Sequence, residues 1–426
     1  MLSARPTVCF KTIGCRLNQA ETARIAAQFE AAGWLVMETG GPCDAVVINT
    51  CTITHHAERD CARWARRLRR EGARRVILAG CAVEHDGEAL KAATGADLIA
   101  GQAQKFRLPE RLASEFGLRP APSTGEKPGG VDASMTALFA TTRGLVKVQD
   151  GCDFRCSYCI VPETRGTPVS RPLPDILADI HRLVDAGYRE ITLTGANLGC
   201  YHAAPYSLID LLEQTERIDG LERIRIGSIE TTTVEREVID LMAVSTKLCR
   251  FLHLPLQSGD DGVLQRMRRR YTAARFRETA EYAVAGIPDL GLGTDVIVGF
   301  PGEDDRAFQN TLDLVRALPF SNLHVFPYSP RRGTPAADMP DQIPATIKKQ
   351  RAAELIAIGK GKRRDFAKTF IGKPVTILVE RSKRDTVGWT GQYLPVRITG
   401  ATLPRNTLAI CIPQRLAGET LIARQT

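Results

Sequence analysis

The chain has 426 residues, of which 43% are hydrophobic and 25% charged, and its formal net charge is +9. This length predicts about two to four domains. No apolar run is long enough to span a membrane and the N-terminal segment carries no apolar signal sequence, so we expect a cytoplasmic protein with no membrane segment. In a reducing compartment, the 12 cysteines indicate metal ligands or reactive thiols rather than disulfides. The positive charge favours a polyanionic partner, although basic soluble enzymes are also common.

Residues 1–119 alternate short apolar runs with amphipathic stretches, a pattern that predicts a parallel sheet covered by helices. The predicted strands are 7–14, 45–50 and 75–80, and the predicted helices are 18–33, 56–71 and 86–94. One cysteine directly follows each predicted strand: Cys15, Cys51 and Cys81. Because the carboxyl ends of parallel strands meet at one edge of a sheet, we expect these three thiols to lie close together.

Residues 120–137 begin with a Pro-, Gly- and Ser-rich stretch that predicts a linker. A second α/β series follows over 138–369 and ends in a long basic helix at about 344–369. Its six predicted strands favour a partial (βα)6 barrel and lie at 144–149, 190–195, 223–228, 251–256, 294–300 and 322–329. The intervening helices are predicted at 172–187, 207–218, 235–245, 272–286 and 304–318.

Residues 370–426 change to alternating apolar and polar residues, which predicts a small antiparallel β-barrel. From residue 371 onward eight Lys and Arg face three Asp and Glu. Such a basic module is typical of RNA binding, and an ordinary solvated surface is the alternative. Trp389 and Tyr393 are candidate base contacts, with core packing as the other interpretation.

Three cysteines, Cys152, Cys156 and Cys159, follow the first strand of the barrel with the spacing C-x3-C-x2-C. Thiolates favour iron–sulfur clusters, zinc and Cu(I). A cubane iron–sulfur cluster ordinarily takes four cysteines, so three would leave one iron with an open coordination site. A catalytic zinc site and buried structural thiols remain as alternatives at this point.

The motif resembles that of the radical S-adenosylmethionine (SAM) superfamily, and the whole chain resembles its methylthiotransferase family. The matching segments are TIGCRLNQAET, VINTCTIT, LAGC, DGCDFRCSYCIVPETRGTPVSRP, LTGANLGCY, HLPLQSG, VGFPGE, YSPRRGTPAA and GWTGQYLPV. The resemblance implies an N-terminal cluster domain, a radical SAM barrel and a C-terminal RNA-binding TRAM module.

The resemblance also implies two [4Fe–4S] clusters and SAM as cofactors. Cys152, Cys156 and Cys159 would hold the SAM-cleaving cluster, and Cys15, Cys51 and Cys81 the auxiliary cluster. Candidate SAM contacts at the strand ends are Gly195, Asn197, Glu230, Gln257 and Ser258, for which ordinary turn and capping roles are the alternative. No acid–base side chain is expected, because a cofactor-derived radical supplies the reactivity needed to break a strong C–H bond.

Within the family, the segments around Cys15 and Cys51 are most similar to the MtaB branch, which adds a methylthio group at C2 of N6-threonylcarbamoyladenosine at position 37 of tRNA. One SAM would donate the methyl group and a second would yield the 5′-deoxyadenosyl radical. The sister branches act on N6-isopentenyladenosine in tRNA (MiaB) or on an aspartate of a ribosomal protein (RimO). Departures from the pattern include Glu163 and Cys200 near the expected site.

The expected partners are the tRNA anticodon stem-loop and an electron donor such as a flavodoxin or ferredoxin, with the chain as a monomer. A non-catalytic RNA-binding protein with structural clusters is the alternative from another functional class.

Overall fold

The computed structural model describes residues 5–52, 55–120 and 142–425. Of the predicted linker, 120–137, only Pro120 belongs to the described residues. The chain divides into two compact units, one comprising Met1–Thr141 with Ile160–Thr167 and the other Thr142–Cys159 with Pro168–Thr426. In the described part of the chain, no helix is long and apolar enough to cross a membrane.

The first unit is a parallel five-stranded sheet with the order β2-β1-β3-β4-β5. Its strands are β1 (Thr7–Thr12), β2 (Leu35–Met37), β3 (Cys43–Thr50), β4 (Ala73–Gly80) and β5 (Leu98–Ala100). Its helices are α1 (Arg16–Ala31), α2 (His55–Arg70), α3 (Cys81–Thr94), α4 (Leu108–Phe116) and α5 (Val161–Arg165).

The central strands β3 and β4 are apolar on both faces because helices cover both sides of the sheet. Val46 and Ile48 pack into one core layer, whereas Val47 packs into the other. The edge strands β2 and β5 each have three residues, too few to leave a periodic pattern, and the sequence prediction missed them. Helix α3 begins at Cys81 rather than at residue 86, since a kink at Asp86 separates its first turn from the part with regular periodicity.

The second unit contains an open barrel of six parallel strands, as predicted. The strands are β6 (Arg143–Lys147), β9 (Glu190–Thr194), β12 (Arg223–Ile226), β13 (Phe251–His253), β14 (Gly291–Val298) and β15 (Phe320–Pro327). They form two three-stranded sheets, β6-β9-β12 and β13-β14-β15, linked by a parallel bridge between Ile224 and Leu248. Short strands β7 (Gln149–Asp150), β8 (Val169–Ser170), β10 (His202–Ala203) and β11 (Tyr206–Ser207) lie in the connections. The helices are α6 (Leu173–Asp185), α7 (Leu208–Glu216), α8 (Arg236–Val244), α9 (Asp261–Arg266), α10 (Ala273–Gly286), α11 (Asp305–Ala317) and α12 (Ala345–Lys368).

The C-terminal residues form a closed five-stranded barrel with the order β16-β17-β18-β20-β19. The strands are β16 (Val375–Ser382), β17 (Thr386–Thr390), β18 (Pro395–Ile398), β19 (Leu408–Ala417) and β20 (Thr420–Gln425). The single strand predicted over 388–398 is two strands, because a tight turn with Tyr393 at φ 68° interrupts it. The pair β18–β20 is parallel, so the barrel departs from a purely antiparallel pattern.

This C-terminal barrel packs against the amino-terminal ends of the open barrel's strands. Glu190, at the start of β9, is fully buried and is paired with Arg143, Arg223 and Arg225. Arg225 also donates hydrogen bonds to the carbonyls of Thr390 and Gly391. Buried charges require such partners, and here the partners join the two barrels.

Candidate functional site

The three N-terminal cysteines follow neighbouring strands at the carboxyl edge of the first unit's sheet. Thr50 and Gly80, the last residues of β3 and β4, are paired in register, so Cys51 and Cys81 leave the sheet side by side. Cys15 follows the end of β1 by three residues rather than one, and it occupies the N-cap position of α1 without a capping hydrogen bond from its side chain. Cys51 and Cys81 are buried and Cys15 is exposed.

Gly14 provides a cradle beside these thiols. A Cβ at this position would lie 2.6 Å from Cβ and 2.8 Å from Sγ of Cys51, and the backbone φ is 111°. Both the space and the conformation therefore require glycine.

A buried ionic network lies behind the same thiols. Glu21 is paired with Lys105 (2.6 Å) and Arg165 (2.9 Å), and all three side chains are less than 5% exposed. Arg165 donates a hydrogen bond to Oδ1 of Asn18, which lies 3.8 Å from Sγ of Cys15. With two cations and one carboxylate, this group carries a net positive charge.

A second chain of contacts reaches Cys81. Lys105 donates to Gln102, and Nε2 of Gln102 lies 3.2 Å from Sγ of Cys81. Burial raises the pKa of the Cys81 thiol, while Arg165 and Lys105 oppose that shift. A [4Fe–4S] cluster with three thiolates carries a net negative charge, and the positive network complements it.

The second set of cysteines lies in the loop after β6 and β7. Backbone hydrogen bonds fix this loop: the N–H of Cys159 donates to the carbonyl of Cys156, and the N–H of Ser157 donates to Met267. Arg155 adopts a left-handed conformation, with φ 45°, between the first two cysteines. Burial raises the pKa of Cys152, and the neighbouring Cys156 thiol adds to that effect.

Arg269 links this loop to a carboxylate of the candidate SAM site. Its guanidinium lies 3.4 Å from Sγ of Cys156 and is paired with Glu230. Burial raises the pKa of Glu230, and Arg269 opposes that shift by stabilising the carboxylate. Sequence reasoning missed Arg269 because it lies within a run of three arginines that resembles a solvated helix end.

Asn197 and Gly195 lie directly after β9 against Gln149. The N–H of Asn197 donates to Oε1 of Gln149 at 2.9 Å, and a Cβ on Gly195 would lie 2.8 Å from the same oxygen. Asn197 is 2% exposed, and its Nδ2 has no hydrogen-bond partner in the described structure. An orphaned buried donor at a strand end is expected where a polar ligand binds.

Gln257 and Ser258 follow β13 in a buried turn. Gln257 has φ 63°, and its backbone pairs with β14 through the carbonyl of Asp295 and the N–H of Ile297. The Ser258 hydroxyl contacts Oγ1 of Thr311 and accepts from the N–H of Asp260. The contacts of the Ser258 side chain are therefore those of a turn residue, whereas Gln257 is held at the carboxyl edge by its backbone.

Both triads offer thiolate donors, which suit iron–sulfur clusters. Among the described residues, the one group of three or more His, Cys, Asp or Glu ligand atoms within 4.8 Å of one another is His253, Asp295 and His324. Neither cysteine triad is in such a group within the described part of the chain, and a cubane, which distributes its thiolates over separate irons, is compatible with that spacing.

Cys200 lies near the second triad. Burial raises its pKa to about 11, and the neighbouring Cys152 contributes in the same direction.

The residues around the N-terminal triad, Lys105 and Arg165 above all, left no sequence signal, since their partners are distant in the chain.

Comparison with known proteins agrees with this geometry. Residues 146–315 match the model of the radical SAM superfamily, and residues 7–101 match uncharacterized protein family UPF0004. Among solved structures, the radical SAM methyltransferase TsrM from Kitasatospora setae superposes with a TM-score of 0.57 at 15% identity, covering 78% of this chain and 75% of that one. The cobalamin-dependent SAM radical enzyme OxsB superposes with a TM-score of 0.52 at 11% identity, covering 84% of this chain and 56% of that one. These likenesses establish the fold.

The fold and the three-cysteine loop thus define a radical SAM enzyme. The threonylcarbamoyladenosine tRNA methylthiotransferase MtaB of Bacillus subtilis (strain 168) is 34% identical over 409 residues, which covers 92% of this chain and 90% of that protein. The chain belongs to the radical SAM methylthiotransferase family, in its MtaB branch. The family's cofactors are SAM and [4Fe–4S] clusters.

Proposed function

We propose that the protein adds a methylthio group to C2 of N6-threonylcarbamoyladenosine at position 37 of tRNA. The observation that carries this proposal is the similarity to the threonylcarbamoyladenosine tRNA methylthiotransferase of Bacillus subtilis, which extends over 92% of this chain. The two cysteine triads support it, because transfer of sulfur to a C–H position requires both a radical source and a place to hold sulfur.

In this proposal Cys152, Cys156 and Cys159 hold the SAM-cleaving cluster, and Cys15, Cys51 and Cys81 hold the auxiliary cluster. When bound, these groups supply a carbon radical and a carrier for sulfur, with one SAM as radical source and another as methyl donor. Gly14 leaves room beside Cys51, and Lys105 and Arg165 balance the negative charge of the auxiliary thiolates.

The chain's own residues would position SAM at the carboxyl ends of the barrel strands. Nδ2 of Asn197 is the best-supported donor, because it is buried without a partner in the described structure. Gly195 keeps the backbone open beside Gln149. Glu230, oriented by Arg269, would accept from a polar hydrogen of SAM. Gln257 lies at the same edge through its backbone pairing with β14.

The test is nucleoside mass spectrometry with anaerobically reconstituted protein, SAM and a chemical reductant. We expect the methylthio derivative from tRNA that carries N6-threonylcarbamoyladenosine. Conversion of tRNA carrying N6-isopentenyladenosine instead, or modification of a ribosomal protein aspartate, would replace this proposal with one of the sister activities. Failure to release 5′-deoxyadenosine from SAM would favour a non-catalytic RNA-binding protein.

A further inference from the structure

The sheet β13-β14-β15 has a polar inner face near the candidate SAM site. Leu323 of β15 faces helix α12, because a Cβ on Gly359 of that helix would lie 2.9 Å from the Leu323 side chain. Side chains alternate along a strand, so His324 and Phe326 face away from α12. Asn322 contacts His324 on the same face, near the amino-terminal end of β15, where Arg363 of α12 also reaches it. Asp295 of β14 is directly paired with His324 and shares that face.

Asp295 is the centre of a hydrogen-bonded cluster on this face. Its Oδ1 lies 3.1 Å from Nε2 of His253 and 3.1 Å from Nδ1 of His324. Burial opposes ionisation of Asp295, but the two histidine contacts outweigh burial and lower its pKa. One carboxylate oxygen is thus committed to the histidines, which leaves Oδ2 as an acceptor for a further group.

Asn322 is oriented by its neighbours. Its Oδ1 accepts from Arg363 at 3.0 Å, and its Nδ2 lies 3.2 Å from Nε2 of His324. An amide nitrogen carries two hydrogens, so Asn322 can donate one to His324 and another to a ligand. The guanidinium of Arg363, whose Nε lies 3.7 Å from a carboxylate oxygen of Glu419, brings a positive charge close to that donor.

Two rings of this inner face are open to solvent. The His324 side chain is 51% exposed and Phe326 is 46% exposed, and their ring centroids are 6.4 Å apart. Phe326 lies nearer the carboxyl end of β15, on the side of the SAM candidates. An exposed aromatic ring near the carboxyl end of a barrel strand is suited to stacking an unpaired base.

The cluster is connected to the SAM candidates. The N–H of Gln257 donates to the carbonyl of Asp295 at 2.8 Å. Glu230 is close enough for Asp295 and His253 to influence its pKa. The Asp295 cluster is therefore in direct backbone contact with one residue of the candidate SAM site and close to a second.

We infer that Asp295, His324 and Asn322 form the recognition site for the polar N6 arm of the target adenosine, with Phe326 as the platform for the base. The inference rests on the proposed function. The threonylcarbamoyl arm offers N–H and O–H donors, which match Oδ2 of Asp295, and a carboxylate, which matches Asn322 and the nearby Arg363. An isopentenyl arm offers neither, and it would leave these polar groups unpaired at a high cost in affinity.

The test compares the binding of two tRNAs that differ only in the arm, one with N6-threonylcarbamoyladenosine and one with unmodified adenosine at position 37. For the unchanged protein we expect the modified tRNA to bind about 10-fold tighter, as a hydrogen bond to a charged group allows. Asn322→Asp turns the donor into a carboxylate and His324→Phe removes the ring nitrogens, so both variants should lose this preference. His181→Ala, on the exposed face of α6, is the matched control and should retain it.

Iron content and affinity for the unmodified tRNA serve as the folding check for each variant. Retention of the 10-fold preference by both folded variants would overturn the inference. So would a stoichiometric metal ion bound beyond the clusters and lost in His253→Ala, since the triad would then be a metal site. These results are distinct from failure of the proposed function, in which the unchanged protein forms no methylthio product from the modified tRNA.

Discussion

The backbone of Gly14 lies close to the Cys51 thiol, so a methyl group there tests whether Cys51 holds a cluster. We expect Gly14→Ala to lose about four irons per chain, the content of one cubane, because its Cβ would lie 2.6 Å from that of Cys51. The measurement is the iron content of the anaerobically reconstituted protein.

Gly40→Ala is the control for this change. Gly40 also has positive φ, at 119°, but a Cβ there meets no atom within 4 Å. Both variants carry the strain of a left-handed alanine, about 1 kcal/mol, and only Gly14→Ala adds the clash. Equal iron content in the two variants would contradict the assignment of Cys51 to a cluster.

Lys105 and Arg107 allow a test of the charge beside the auxiliary thiols. Lys105 is buried against Glu21 and Arg107 is exposed. Lys105→Met should lower the midpoint potential of the auxiliary cluster by roughly 50 mV, about 1 kcal/mol for one electron, because a positive charge favours the reduced cluster. Arg107→Met removes the same charge from an exposed position, where solvent and salt screen it. It should therefore leave the midpoint potential of the auxiliary cluster nearly unchanged.

The measurement is an electron paramagnetic resonance redox titration. The host protein carries alanine at Cys152, Cys156 and Cys159, so that only the auxiliary cluster contributes. A Lys105→Met potential equal to that of Arg107→Met would show that the network does not act on the cluster.

At this scale the sequence predicts thiols better than their surroundings. Cys51 and Cys81 could be placed because strand ends in a parallel sheet converge, which is a rule of topology. Lys105 could not be paired with Glu21, since a buried ion pair between distant segments leaves no periodic or spacing signal. Asn322 and His324 were missed for a related reason: their meaning depends on which face of β15 the helix covers.

Among the secondary-structure elements, Glu190 at the start of β9 joins the open barrel to the C-terminal barrel. Removal of its charge leaves Arg225, which is fully buried, without an anionic partner. Breaking a buried pair in this way costs about 3–5 kcal/mol, so Glu190→Gln should lower the free energy of unfolding by that amount. Urea unfolding measures it, with Glu278→Gln as the control, because the exposed Arg236–Glu278 pair is screened by solvent and contributes little to stability.

The pH dependence of this difference follows from the pKa of Glu190. Burial alone would raise that pKa, but Arg225, Arg143 and Arg223 outweigh it and lower the pKa below its ordinary value. The contribution of Glu190 is therefore complete above its ordinary pKa of about 4.3 and is lost as the pH falls through the folded value. We expect the difference in free energy of unfolding between Glu190→Gln and the unchanged protein to be constant from about pH 8 to pH 5.5. Below about pH 4 this difference should become smaller. A difference that narrowed at neutral pH would contradict this origin.

Element prediction succeeded where patterns are long and failed where turns are tight. All six strands of the open barrel were predicted because apolar runs alternate with amphipathic helical segments along this part of the chain. The split of 388–398 into β17 and β18 was missed, since Tyr393 takes a positive φ that only tertiary packing stabilises. Tyr393 stacks on Phe251 at 5.1 Å between ring centroids and lies over Arg225 at 4.7 Å, so packing against the open barrel explains its position.

Over the whole molecule, the positive charge belongs in part to the surface of the C-terminal barrel. Lys383 and Arg384 are exposed in the turn between β16 and β17. The indole nitrogen of Trp389 donates a hydrogen bond to Glu380. The charged surface residues of this barrel are therefore better candidates for contact with RNA than Trp389. Phosphate contacts release counterions, so each one steepens the dependence of affinity on salt.

The final prediction therefore concerns the slope of log Kd against log salt for tRNA binding. Changing Lys383 and Arg384 together to Gln should weaken binding and flatten the slope by roughly 1 to 2, at about 0.7–0.9 for each phosphate contact. The paired control changes Arg275 and Arg277 of α10 to Gln, which alters the net charge equally on an outer helix. Equal slopes in the two double variants would show that net charge alone attracts tRNA, whereas a flatter slope in the first variant alone would locate the contact on the C-terminal barrel.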